Sequence, residues 1–158
     1  MITGKNYIGN QLSAKGNKTY KTFNPQTNSE NSFVFTEATS EEINLATELA
    51  TSAFQIYSKK SGIEKALFLR TIADEIENLG DELIHMYTSE SGLPAGRAMG
   101  ERGRTLGQLR AFAAHIEEGS WVEATIDTAQ PERQPIPKVD LRKMNVPLGP
   151  IVVFGASN

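Results

Sequence analysis

Ile151-Val152-Val153-Phe154 is an unbroken apolar run, set between the turn-forming Pro147-Leu148-Gly149-Pro150 and the small residues Gly155-Ala156. It has neither the alternation of a half-exposed strand nor the length of a helix. It therefore reads as a strand buried on both faces, as in a parallel sheet. Gly155 and Ala156 let the backbone turn and approach another group closely. A doubly buried strand demands parallel neighbours and helices over both faces. What precedes it reads as short strands, turns and helices, and the parallel neighbours are missing. The expectation is an α/β protein in which these 158 residues are the front of a longer chain.

Composition narrows the function. At 158 residues the chain is one ordinary domain or a piece of a larger one. Lys and Arg total 16 against 19 Asp and Glu, a net charge of −3, which is a poor basis for binding nucleic acid by neutralising phosphates. No apolar run approaches the roughly 20 residues that span a bilayer. The N-terminus lacks the basic, apolar, small-residue order of a secretory signal, so the cytoplasm is the expected compartment, with no membrane partner. The chain has no cysteine. Disulfides, thiolate zinc sites and a cysteine nucleophile are thus excluded within these residues. Only His85 and His115 offer imidazole, and two isolated histidines make neither a metal site nor a complete triad.

Turn chemistry and capping signals divide the chain. Tyr7-Ile8 reads as a strand breaking into a turn at Gly9-Asn10, Lys18 to Phe23 as a half-buried strand, and Ser32 to Thr36 as a third. Asn24-Pro25-Gln26-Thr27-Asn28 is a turn, with Pro25 fixing φ and Asn28 tolerating a left-handed conformation. Thr39 with Glu42, and Ser61 with Glu64, are capping boxes that predict two helix starts. The first helix would place Ile43, Ala46, Ala50, Ala53, Phe54 and Tyr57 on one face, the second Leu69, Ile72, Ala73, Ile76 and Leu79. Gly80 stops the second helix, and Asp81 is placed to cap a third that runs to about Ser91. After Trp121, prolines at 131, 135 and 137 argue against a central strand and for an extended or hairpin arm, with Val139 to Val146 able to pair.

The segment from Pro94 to Glu118 carries three patterns at once. Leu106, Leu109, Ala113 and Ile116 form a core face. Gly96, Gly100, Gly103 and Gly107 line up on another face at a cost of roughly 0.8–1 kcal/mol each relative to Ala, which suggests that something approaches the backbone closely. Arg97, Glu101, Arg104 and Gln108 share a third, polar face. Two readings of that face stand side by side. One is a solvated surface with an Arg97–Glu101 ion pair. The other is that Arg104 and Gln108 hold an anionic group, for which the planar guanidinium fork is suited.

At this point the residues resemble a known family. Pro147-Leu148-Gly149-Pro150-Ile151-Val152-Val153-Phe154-Gly155-Ala156-Ser157-Asn158 resembles the start of the dinucleotide-binding domain in the aldehyde dehydrogenase superfamily, where the Asn is followed by Phe-Pro or a close variant. Four further stretches agree in order: Asn24-Pro25-Gln26-Thr27, the helix around Arg70-Thr71-Ile72-Ala73-Asp74-Glu75-Ile76, Glu90-Ser91-Gly92-Leu93-Pro94, and Gln108-Leu109-Arg110-Ala111-Phe112-Ala113. The likeness covers nearly the whole chain. Gly100 to Phe112 further resembles the branch that oxidises 2-oxoglutarate semialdehyde (2,5-dioxopentanoate).

The resemblance implies NAD- or NADP-dependent oxidation of a small-molecule aldehyde to an acid, through a cysteine nucleophile, an oxyanion stabiliser and a glutamate base around one carbon. Asn158 matches the oxyanion Asn and is the candidate catalytic residue. Phe154, Gly155, Ala156, Ser157 and Asn158 match the segment that passes the nicotinamide ribose, mostly through main chain. Arg104 lies where the family's helix borders the substrate tunnel, and with Gln108 it could hold a substrate carboxylate. No metal is implied. The nucleophile, the Gly-rich cofactor segment and the base are not among these residues, so the 158 residues alone are expected to be inactive.

The expected fold is that of an aldehyde dehydrogenase-like α/β protein, its N-terminal strands and helices leading into the first strand of a parallel nucleotide-binding sheet. Residues 1–120 would be the strands and helices of the cofactor domain. Residues 121–146 would be an arm through which the full-length enzyme forms a homo-oligomer, and residues 147–158 the first strand and turn of the sheet. The alternative is a short, non-catalytic aldehyde dehydrogenase-like protein that binds a partner.

Overall fold

The computed structural model describes residues 2–155. Three two-stranded antiparallel hairpins and four helices follow one another. Strands β1 (Asn6–Ile8) and β2 (Gln11–Ser13) pair through Gly9 and Asn10, both at positive φ, the geometry that matches the twist of a tight hairpin. Strands β3 (Thr19–Asn24) and β4 (Ser29–Thr36) pair from Thr19↔Thr36, with a register shift between Lys21 and Phe23. Their turn forms as the sequence requires. The Asn24 side-chain oxygen accepts from the Gln26 and Thr27 amides, and Asn28 has φ 55°. Tyr20 stacks on its cross-strand partner Phe35 at 5.6 Å.

Both capping boxes are present. Helix α1 (Ser40–Tyr57) is capped by Thr39 and α2 (Gly62–Asn78) by Ser61, each with reciprocal bonds to the glutamate three residues on, in the first turn. Glu42 does more than cap. It is buried and also accepts from the Ser13 hydroxyl and the Lys15 amide, which ties the first hairpin to the start of α1. Those bonds hold its carboxyl below the usual range.

Glu64 is pushed down from 4.5 to about 2, chiefly by the Lys60 ammonium at 2.8 Å and by the Ser61 amide and hydroxyl at 2.9 Å. A depressed carboxyl contributes stability above its unfolded value and loses it as pH falls through its folded value. Amide protection in the first turn of α2, taken relative to the intrinsic exchange rate at each pH, should therefore fall as pH falls from about 4.5 towards 2. Ser61→Ala should cost about 1 kcal/mol at neutral pH, read by urea unfolding.

Helices α3 (Gly80–Ser91) and α4 (Ala95–Glu118) complete the layer. Asp81 does not cap α3. Gly80, at φ 55°, turns the chain straight from α2 into α3, so Asp81 falls inside the first turn and the N-cap position is Leu79. The core lies between α2 and α4, which run antiparallel. Ala66 and Ala73 of α2 and Ala113 of α4 are 0% exposed, and Ala98 and Leu106 of α4 are also buried. Gly62 lets α2 start against α4, where an added Cβ would stand 2.7 Å from the Ile116 carbonyl oxygen. Two clamps flank this seam, Arg70–Glu117 at 2.5 Å and Arg110 on Asp74 and Glu77 at 2.9 and 2.6 Å.

Residues 125–143 form a hairpin. Strand β5 (Thr125–Asp127) pairs with β6 (Leu141–Lys143), and a further bridge joins Gln130 to Lys138. Ile126, Ile136, Val139 and Leu141 stand exposed along it.

Ile151 to Phe154 forms no ladder among the described residues and is 72% to 88% exposed, since the parallel neighbours such a strand needs are missing here. The α1 stripe is likewise open. Ile43 and Tyr57 are exposed and Phe54 is only half-buried, because α1 touches little besides β1. The total surface, 12147 Å², far exceeds the roughly 7,800 Å² that size scaling gives a compact monomer of this mass. Exposed large apolar side chains stand on α1, α2, the arm and residues 146–154.

Candidate active site

Helix α4 presents its core face to α2 and α3 and its other faces to solvent. Arg102 stands one turn before Leu106 on the core side, and its Nη1 donates to the Gly80 carbonyl oxygen at 3.0 Å. That bond locks α4 to the corner between α2 and α3 and fixes its rotation. The sequence carried the signal, since position 102 falls four residues before Leu106, but the charge of Arg102 disguised it.

On the polar face Arg97, Arg104 and Gln108 are exposed and Glu101 is half-buried. Arg97 Nη2 lies 2.7 Å from Glu101 Oε1, the i,i+4 pair expected from spacing. Glu101 Oε2 lies 3.9 Å from Arg104 Nη1. Arg104 is 78% exposed and Gln108 is also exposed. The solvated surface of the first reading is thus present, and the donors required by the second are not consumed by it. The glycine face lies beside them. A Cβ added at Gly96, Gly100, Gly103 or Gly107 would meet nothing within 4 Å, so among the described residues nothing approaches that backbone. The face is open room.

The second predicted group stands apart from the first. Phe154 is 88% exposed, and a Cβ at Gly155 would meet nothing within 4 Å. Among the described residues no hydrogen bond or ion pair joins Phe154 or Gly155 to Arg104 or Gln108. Ala156, Ser157 and Asn158 lie outside the described residues. A cavity of about 450 Å³ lies elsewhere, lined by Ile2, Tyr7, Phe35, Leu83 and Met86 among others. The described residues contain no group of three His, Asp or Glu placed to hold a metal ion.

Comparison with known proteins gives this arrangement its context. The α-ketoglutaric semialdehyde dehydrogenase 2 of Azospirillum brasilense is 46% identical over 158 residues, 99% of this chain and 30% of that protein. The α-ketoglutaric semialdehyde dehydrogenase of Acinetobacter baylyi is 42% identical over 155 residues, 98% of this chain and again 30% of that protein. Among solved structures, a NAD-dependent benzaldehyde dehydrogenase from Corynebacterium glutamicum superposes with a TM-score of 0.72 at 18% identity, over 82% of this chain and 28% of that one. The chain therefore spans about a third of the length of the relatives it matches. The aldehyde dehydrogenase family model matches residues 12–158, nearly the whole sequence, and the chain belongs to that family.

Proposed function

We propose that this chain is the N-terminal portion of an NAD- or NADP-dependent aldehyde dehydrogenase that oxidises a semialdehyde acid, 2,5-dioxopentanoate to 2-oxoglutarate. The observation that carries the reading is 46% and 42% identity, end to end, with two enzymes named for that substrate. The overall change consumes aldehyde and water and yields the carboxylic acid and a proton, and the nicotinamide, when bound, takes up the hydride. The residues present fit such a group where they are described. Gly155 offers bare main chain with open space around it, which a dinucleotide lying along the backbone needs.

Within this scheme Asn158 donates its side-chain N–H to the oxygen that becomes negative in the tetrahedral intermediate. Arg104 pairs with the substrate carboxylate at the far end, with Gln108 assisting one turn on. The glycine face leaves room for the chain between the two ends. The nucleophile and base belong to residues beyond these 158, and the arm of residues 121–146 contributes to a homo-oligomer.

The test has two arms. The intact mass of the native protein should be several times that of 158 residues. In that enzyme Arg104→Leu should raise KM for 2,5-dioxopentanoate about tenfold or more, the worth of a charge-assisted pair, and leave KM for a neutral aldehyde nearly unchanged. Equal losses on both substrates would remove the carboxylate role. A native mass equal to that of the 158 residues would remove the catalytic reading in favour of a partner-binding protein.

A further inference from the structure

We propose that Glu101 is a positioning residue that sets how available Arg104 is to the substrate carboxylate, and so sets the preference for carboxylated over neutral aldehydes. The inference rests on the carboxylate reading of Arg104 given above and goes one step further.

One carboxylate stands between two guanidiniums. Glu101 is the most sheltered of the three, with its side chain 34% exposed against 62% for Arg97 and 78% for Arg104. Part of that shelter is a cavity of about 220 Å³ between α2, α3 and α4, lined by Ile76, Leu83, Tyr87 and Thr105 as well as Glu101 and Arg102. Arg102 is already committed to the Gly80 carbonyl oxygen, and no other acidic side chain lines that cavity. Glu101 is thus the sheltered member of the trio and the arginines are its exposed partners.

Its two oxygens are used unequally. At 2.7 Å the contact with Arg97 is a close ion pair. At 3.9 Å the contact with Arg104 is beyond hydrogen-bond distance. Arg104 is therefore held near Glu101 while its donors stay open. The trio carries one positive charge in excess, and an incoming carboxylate completes it. Glu101 also competes for Arg104 with that carboxylate and repels it. An enzyme built this way binds a carboxylated substrate without binding it as tightly as a bare arginine pair would.

The experiment uses the full-length enzyme with 2,5-dioxopentanoate and a neutral aldehyde of similar length. Glu101→Gln keeps the shape of the side chain and removes its charge. The ratio of KM for the neutral aldehyde to KM for 2,5-dioxopentanoate should rise by about twofold or more, a gain on the scale of one helix charge pair. A merely structural role would not improve binding of one substrate selectively. In an Arg104→Leu background the same change should leave the ratio where it stands.

A rise of equal size in both backgrounds is a diffuse field effect and would overturn the assignment. No rise, with Arg104→Leu still selective, would overturn it while leaving the carboxylate reading intact. An Arg104→Leu variant that loses both substrates equally would overturn both.

Discussion

If Asn158 is the oxyanion donor proposed above, Asn158→Ala should lower kcat of the full-length enzyme by about 10²–10³, the loss that follows removal of one such donor, or about 2.7–4 kcal/mol. The reason for so large an effect is where the charge appears. The aldehyde oxygen is nearly neutral in the bound substrate and becomes an alkoxide only when the nucleophile adds. A donor aimed at that position stabilises the transition state far more than the ground state. KM should therefore change little, and steady-state rates with a neutral and a carboxylated aldehyde should fall by the same factor. That equality separates Asn158 from Arg104, whose loss divides the two substrates. An Asn158→Ala enzyme with undiminished kcat would mean that the alkoxide is held by other donors.

Much of the fold was legible because its signals are local. The two capping boxes, the Gly9-Asn10 turn and the Asx turn at Asn24 each depend on residues within four positions of one another, and all stand where the spacing puts them. What was not legible depends on distant partners. The stripe of α1 and the run from Ile151 to Phe154 are apolar enough for a core, but burial is a property of what lies opposite, and among the described residues nothing does. Asp81 failed for a different reason. A positive-φ glycine joined two helices without a break, so no free N-terminus remained to be capped.

The site divides in the same way. The face of Arg97, Glu101, Arg104 and Gln108 follows from helical period alone, and Arg102 fixes which way it points. Spacing could not show that Glu101 is shared unequally between two arginines, because both are within reach on any ideal helix. The likeness at Asn158 came from a motif rather than from geometry, and that residue lies outside the described part of the chain.

The two faces of α4 give opposite responses to added volume. Ala113 of α4 and Ala66 and Ala73 of α2 are all 0% exposed, and at Gly62 even a Cβ would stand 2.7 Å from the Ile116 carbonyl oxygen of α4. Ala113→Leu adds three carbons where no space is left, so the helices must separate. The expected loss is about 1–3 kcal/mol, read as a lower urea midpoint. Gly107→Ala adds one carbon on the open face, where nothing lies within 4 Å. It replaces the poorest ordinary helix former with the best and should stabilise this chain by up to about 1 kcal/mol. If the glycine face is room for substrate, Gly107→Ala should also raise KM in the full-length enzyme although the helix beneath it is more stable. A gain in stability with unchanged KM would leave the glycines without a role in the site, and Ala113→Leu without a stability loss would mean that the α2–α4 seam is not the core.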